Sequence, residues 1–293
     1  MIPNVRALAL AVLAPLMAQA EDAVMFSAFD GSNWALYSVV PGETPVLQLA
    51  GETRGADVRA GRIIFADPAG RVHLQQIGAG AATVVPGLPL PCAQPTLSPD
   101  GASAVVACFR FANRQDDGAF FHIDLEDLSV SPLYDGPGLQ KSPIYSPDGS
   151  QIAFVSGFRL SAERVIEHIW VMAADGSGAR PIADGSDENI DPTWINDSTL
   201  VYSSDAESQA VRLWQHDLQE DTARPITNGP ADMEGAAHPD GKVAYIGQTV
   251  DGFSLFLTDP ANPTLPKRIA VTETDGLIAA HDPVWTKELV ADE

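Results

Sequence analysis

Apolar positions in this chain come in short runs separated by polar turns. The clearest unit is Lys141–Gly157, KSPIYSPDGSQIAFVSG, two apolar runs hinged on Ser-Pro-Asp-Gly. A weaker copy, CAQPTLSPDGASAVVAC, precedes it at Cys92–Cys108. The turn occurs at Ser98–Gly101 and Ser146–Gly149, with His238-Pro239-Asp240-Gly241 as a variant and Ile195-Asn196-Asp197-Ser198 as a degenerate form. Asp100, Asp148, Asp197 and Asp240 follow one another at steps of 48, 49 and 43 residues. Pro presets φ at the second position, Asp suits the third and Gly frees the exit. These aspartates are therefore expected to build turns and not to act as catalysts.

Each turn has the same neighbours. A short first strand precedes it, at Gln94–Leu97, Ser142–Tyr145, Asp191–Trp194, Glu234–Ala237 and Asp282–Trp285. A β-rich second strand follows, at Ala104–Cys108, Ile152–Ser156, Leu200–Ser204 and Val243–Gly247, with Val24–Ala28 and Ile63–Asp67 matching it. A third strand carries an apolar residue followed by a ring: Leu36-Tyr37, Val72-His73, Phe120-Phe121, Ile169-Trp170, Leu213-Trp214 and Leu255-Phe256. A fourth, outer strand appears at Ala179–Ala183, Ala223–Thr227 and Lys267–Val271. Four antiparallel strands per unit at this period describe propeller blades, and the six copies of the third-strand pair predict an all-β, six-bladed β-propeller. The ring residues are then expected between blades, as core.

The two ends fit each other. Ala23–Phe29 is a second-strand sequence without a first strand, and His281-Asp282-Pro283-Val284-Trp285 is a first-strand sequence without a second. Blade one is expected to be built from both, with the C-terminal strand closing the ring. Ahead of it, Met1–Arg6 carries one positive charge, Ala7–Met17 is apolar, and Ala18-Gln19-Ala20 places small residues at −3 and −1. This reads as a signal peptide, residues 1–20, cleaved after Ala20 and leaving residues 21–293 as one propeller domain. The apolar run is short for a membrane span, and Glu21 is not the cysteine of a lipoprotein anchor. The expectation is an exported protein, periplasmic or secreted, with no membrane insertion after cleavage.

Composition sharpens this picture at two points. The formal net charge is −22, and loss of Arg6 with the leader takes it to −23. Such a surface repels phosphate backbones, which argues against nucleic acid, and attracts cations and basic partner surfaces. Plain solubility is the other reading of the same charge. Cys92 and Cys108, the two cysteines of the chain, flank the first Ser-Pro-Asp-Gly turn almost symmetrically. Export would place them where disulfides persist, so a bridge across that hairpin is predicted. A one-residue slip in register would instead leave two free thiols.

Ser146–Trp194, SPDGSQIAFVSG…HIWVMAADGSGARPIADGSDENIDPTW, resembles the repeat of TolB-type (WD40-like) propellers. The similarity runs over the chain after the leader, strongest in blades three to five and weakest in blade two. It implies a periplasmic, protein-binding propeller working with peptidoglycan-associated lipoprotein near the outer membrane. The same repeat also serves peptidase accessory domains and some polysaccharide lyases. Tol-Pal members of the family carry an α/β domain ahead of the propeller, whereas here the leader runs almost directly into blade one. No hydrolase domain follows, so a prolyl-oligopeptidase-like peptidase is not expected.

Gly-x-Ser-x-Gly, His-Glu-x-x-His and Cys-x-x-Cys are all absent. The six histidines are scattered over strands and turns, with His281 alone at a first-strand entrance, and no catalytic residue is assigned. Connections between blades and second-to-third strand loops share one face of a propeller. Onto it fall Asp187, Glu188, Asp191, Asp232, Glu234, Glu273, Asp275 and Asp282. Asp187-x-Asn189-x-Asp191 matches the first three ligand positions of a calcium loop, but Pro192 and Ser198 break the match. Two readings stay open here: a Ca²⁺ held by Asp187, Asn189, Asp191, Asp232, Glu234, His281 and Asp282, or a solvated acidic rim.

At the opposite corner of the same face, on blades three and four, lie two long loops with a shared theme, Phe109-Arg110-Phe111…Arg114 and Phe158-Arg159-Leu160…Arg164. Arginine beside aromatics is the composition of an interaction surface. The competing reading packs the phenylalanines down and pairs the arginines with Asp116, Asp117, Glu163 and Glu167. The function expected from all this is a non-enzymatic module that binds an envelope or periplasmic protein or peptide through its loop face. A metal-assisted, oligogalacturonate-lyase-like enzyme and a purely structural scaffold are the alternatives.

Overall fold

The computed structural model describes residues 22–286, apart from 52–53, 78–80, 111–116, 162–163, 185–187, 208–209, 263–265 and 273–274. Blade one contains β1 (Ala23–Phe29), β2 (Trp34–Val39) and β3 (Val46–Ala50), and blade two β4 (Arg54–Arg59), β5 (Arg62–Ala66), β6 (Val72–Gln76) and β7 (Thr83–Val84). Blade three is β8 (Cys92–Leu97), β9 (Ser103–Arg110), β10 (Asp117–Asp124) and β11 (Val130–Tyr134). Blade four is β12 (Leu139–Tyr145), β13 (Gln151–Arg159), β14 (Val165–Ala173) and β15 (Arg180–Ala183). Blade five is β16 (Asn189–Asn196), β17 (Thr199–Ser204), β18 (Arg212–Asp217) and β19 (Thr222–Pro225). Blade six is β20 (Asp232–Ala237), β21 (Val243–Thr249), β22 (Gly252–Thr258) and β23 (Lys267–Ala270). The last strand, β24 (Ala279–Thr286), returns to blade one and pairs antiparallel with β1, Ala23 opposite Thr286. Six four-stranded antiparallel sheets result, closed into a ring as the two matching ends require.

The turn aspartates are spent as expected. Asp100 Oδ1 accepts from Ser98 Oγ (2.6 Å) and the Ala102 amide (3.0 Å), and Asp148 Oδ1 accepts from Ser146 Oγ (2.7 Å) and the Ser150 amide (2.9 Å). Gly101 and Gly149 take φ of 69° and 75°, a conformation only glycine adopts at no steric cost. Cys92 and Cys108 are direct register partners on β8 and β9 and form a disulfide, so the register is the one that allows the bridge.

Packing follows the ring. Among the described residues, six buried clusters occur, and each spans one seam between neighbouring blades. The apolar member of the third-strand pair is buried in every blade: Leu36, Val72, Phe120, Ile169, Leu213 and Leu255 are at most 1% exposed. One blade cannot bury both faces of its sheet, and the seam supplies the missing partner. The seam between blades six and one holds the most extensive cluster, from Val24 and Phe26 to Ile246, Leu255 and Ala280.

The first strands begin earlier than their sequence signal. Gln94, Ser142, Asp191 and Asp282, taken as strand starts, lie two or three residues inside β8, β12, β16 and β24, and Glu234 lies two inside β20. All five have φ between 51° and 53° and sit at a register break. A β-bulge interrupts each first strand there, and in four of the five, Gln94, Ser142, Asp191 and Asp282, a proline follows the bulged residue.

Candidate functional site

The first strand of each blade lines the central channel, so its bulge recurs six times around one ring: Gly55, Gln94, Ser142, Asp191, Glu234 and Asp282. These residues border a channel cavity of about 170 Å³. At four of the six bulges the amide is accepted by a side chain of the previous blade, at three of them by a residue of the ring. Gln94 Oε1 accepts the Ser142 amide at 3.0 Å, Glu234 Oε2 the Asp282 amide at 2.8 Å, and Asp282 Oδ2 the Gly55 amide at 3.3 Å. Ser203 Oγ takes the Glu234 amide at 3.1 Å. At Gly55 a Cβ would stand 2.9 Å from the Gln94 Cα, so space, and not the φ that five other residues share at this bulge, favours glycine there.

Charge divides the ring. Blades two, three and four contribute Gly55, Gln94 and Ser142; blades five, six and one contribute Asp191, Glu234 and Asp282. Burial, then the neighbouring Glu234 and, more weakly, Asp282 and Glu167, push the Asp191 carboxyl up to about 8, with Lys141 opposing. Glu188 is raised too, by burial and then by Asp205 and Glu167. His281 is raised by its hydrogen bond to Glu234 (Nδ1 to Oε1, 3.0 Å), against burial. The His281 ring lies 5.6 Å from Trp34 and 6.4 Å from Phe253. Lys141 pairs with Glu167 at 2.6 Å.

The residues read from sequence separate into groups. Asp191, Glu234 and Asp282 come together at the channel, and His281 joins them through its contact with Glu234. Asn189 is buried and its side chain is occupied, Oδ1 accepting from Ser204 Oγ at 2.8 Å and Nδ2 donating to the Glu167 carbonyl at 3.2 Å. Asp232 is buried as well and closes its own turn, Oδ2 accepting the Gly229 amide at 2.7 Å. Asn189 and Asp191 lie on β16, and Asp232 lies on β20. Asp187 lies outside the described residues. Among the described residues, no group of three or more His, Cys, Asp or Glu side chains is arranged to hold a metal ion.

In the arginine loops, Phe109 packs against the Phe120 and Phe154 cluster, and Arg110 pairs with Asp135 (2.7 Å) and Asp117 (3.0 Å). Phe158 is half-buried, 6.4 Å from the His168 ring, while Arg159 and Arg164 are exposed. Phe111 and Arg114 lie outside the described residues. Sequence reasoning missed Gln94 and Ser142; their shared place ahead of a proline, in register with Asp191 and Asp282, was the available signal.

Similarity to known proteins agrees with this architecture. The family model described as TolB beta propeller domain matches residues 17–288. The Tol-Pal system protein TolB of Anaeromyxobacter dehalogenans is 35% identical over 103 residues, which are 34% of this chain and 21% of that protein. The chain thus spans well under two thirds of that relative. The crystal structure of TolB from Acinetobacter baumannii aligns with a TM-score of 0.71 at 16% identity, covering 91% of this chain and 67% of that one. An oligogalacturonate lyase in complex with manganese aligns at 0.62 and 17%, covering 87% and 75%. At such identities the aligned structures establish fold alone, and the family match over nearly the whole ring places this chain in the TolB β-propeller family.

Proposed function

We propose that this chain is an exported, non-enzymatic binding module whose loop face takes a segment of an envelope protein or peptide presenting cationic and apolar side chains together. One observation carries the reading. Of the eight large apolar side chains exposed among the described residues, five lie in or beside loop-face connections: Leu90, Leu160, Val165, Val250 and Ile278. The other three, Val46, Leu47 and Val84, are on outer strands, and of these Val46 alone adjoins the Ser-Pro-Asp-Gly face. Exposed apolar groups gathered on one face favour a contact surface. The acidic half of the ring lies within that face and complements a cationic segment. The leader sequence and the Tol-Pal designation of a relative favour an envelope location.

Metal-assisted lysis of an anionic polysaccharide has less support, since the ring offers one imidazole and three carboxylates that repel such a substrate. Crosslinking pull-down from native envelope extract tests the proposal. The mature protein is compared with a variant in which Arg110, Arg114, Arg159 and Arg164 are all alanine, with a Leu160→Ser, Val250→Ser, Ile278→Ser variant, and with a rim control, Leu47→Ser. The expected result is one partner captured by wild type and control and lost with the apolar loop-face variant. Capture unchanged in both loop-face variants overturns the reading. Millimolar calcium added to the same assay shows whether an ion competes for the acidic ring.

A further inference from the structure

We propose that the channel cavity seats the free N-terminus of a partner polypeptide, its α-ammonium among the carboxylates of blades five, six and one and its first, apolar side chain between the prolines beneath them. This rests on the reading of the loop face as a surface that binds a protein or peptide, and it names the part of the partner that the channel takes. The cavity, of about 170 Å³, has two levels. Asp191, Glu234 and Asp282 form one side of its rim, and Gln94 and Ser142 the other. One residue further along their strands, Pro95, Pro143, Pro192 and Pro283 line it, all four buried, with Ile144 and Trp285 beside them. First strands enter from the loop face, so this apolar level lies below the charged one.

Asp191 is the rim residue that points to a ligand. Its carboxyl is buried, and among the described residues neither a hydrogen bond nor an ion pair reaches it. Burial, then Glu234, push it up to about 8, while Lys141 opposes them from its own pair with Glu167. A buried acid without a donor is costly, and a positive donor brought by a partner removes that cost. Glu234 and Asp282 already accept ring amides, at 2.8 and 3.3 Å, and each carboxylate oxygen has room for a second bond.

The two levels select the ligand. Among the described residues no three acidic side chains converge as a metal ion requires, whereas an ammonium spreads three hydrogen bonds over separated acceptors. A lysine side chain carries its charge at the far end of an alkyl stem and would push it past the carboxylates into the prolines. An N-terminal residue carries its charge and its apolar group on one carbon atom, so both levels are filled at once. A cavity of about 150 Å³ holds a benzene-sized group, and a valine or leucine side chain is no larger. The neutral side completes the seat. Gln94 Oε1 takes the Ser142 amide at 3.0 Å, while Gln94 Nε2 and the Ser142 hydroxyl make no hydrogen bond among the described residues. Both can donate to the first peptide carbonyl.

Titration calorimetry of the mature protein with peptide amides tests the seat. The probes are Val-Ala-Gly-Ala-Gly, its N-acetylated form, Gly-Ala-Gly-Ala-Gly and L-valinamide. The free valine-led peptide is expected to bind. Acetylation should weaken it at least about tenfold by removing the charge. Glycine in first place should weaken it about tenfold by leaving the prolines uncovered. Asp191→Asn, which keeps the shape of the rim, should weaken the free peptide about tenfold and leave the acetylated one unchanged. Equal binding of free and acetylated peptides, of valine- and glycine-led peptides, or of wild type and Asp191→Asn overturns the proposal, as does no binding of any probe. Valinamide binding as tightly as the pentapeptide overturns it too, by making the ligand a free amine. The pull-down reads Leu160, Val250 and Ile278, whereas the titration reads the channel. Failure here with partner capture intact strikes this proposal alone, and failure of capture with peptide binding intact strikes the loop-face reading alone.

Discussion

The two halves of the channel ring use one backbone device with opposite chemistry. In blades two to four the bulge positions are Gly55, Gln94 and Ser142, and the Ser142 amide is held by a neutral amide oxygen. Blade three in this half also carries the Cys92–Cys108 bridge. Blades five, six and one place Asp191, Glu234 and Asp282 at the same positions, and carboxylates hold the amides on both sides of the closing seam. Hydrogen bonds to ionised acceptors are stronger than neutral ones, yet gathering three such groups is costly wherever one lacks a donor. Asp191 shows that cost in its raised titration. The neutral half makes its contacts without titratable groups, whereas the acidic half carries carboxylates whose charge depends on pH.

That contrast can be broken at several points. Deleting residues 279–293 removes β24, the partner of β1. The loss is expected to exceed the ~5–15 kcal/mol of a whole domain, leaving no cooperative transition in a denaturant titration. Replacing both cysteines by serine should cost about 3 kcal/mol in urea unfolding, and a cost near zero would show that the neutral half does not rely on its bridge. Asp191→Asn should act with the opposite sign. Its folded-state value lies above the ordinary carboxyl value, so the folded state holds the proton longer. Stability is complete below about pH 4 and declines as pH rises toward 8. The variant escapes that decline, gaining up to about 5 kcal/mol at pH 8 and almost nothing at pH 4, as read by thermal unfolding at both. Gln94→Ala leaves the Ser142 amide without its acceptor and should cost about 1 kcal/mol at every pH.

The sixfold fold was legible because its turns have a chemistry that residues must supply: a proline, an aspartate and a glycine at fixed steps. Blade two was faint for the same reason, since its first strand carries Gly55-Ala56 where four of the others carry X-Pro, and its outer strand is the two residues Thr83–Val84. The meeting of Asp191, Glu234 and Asp282 was visible as a shared repeat position. The inward commitment of Asn189 and Asp232 was not. Whether a carboxylate points to the channel or back into its own blade depends on φ at the bulge, and the sequence marks that only indirectly. Arg110 was ambiguous for a different reason: Asp135, which pairs with it, lies 25 residues away on the connection into blade four.

Closure by β24 also governs how the chain can go wrong. β1 is made first and its edge partner last, with Ala23 paired to Thr286. Until then β1 presents an open edge beside Val24 and Phe26, side chains that are fully buried in the finished ring. A second molecule can offer its own β24 to that edge, so exchange of this one strand between copies is the error to look for when the protein refolds at high concentration.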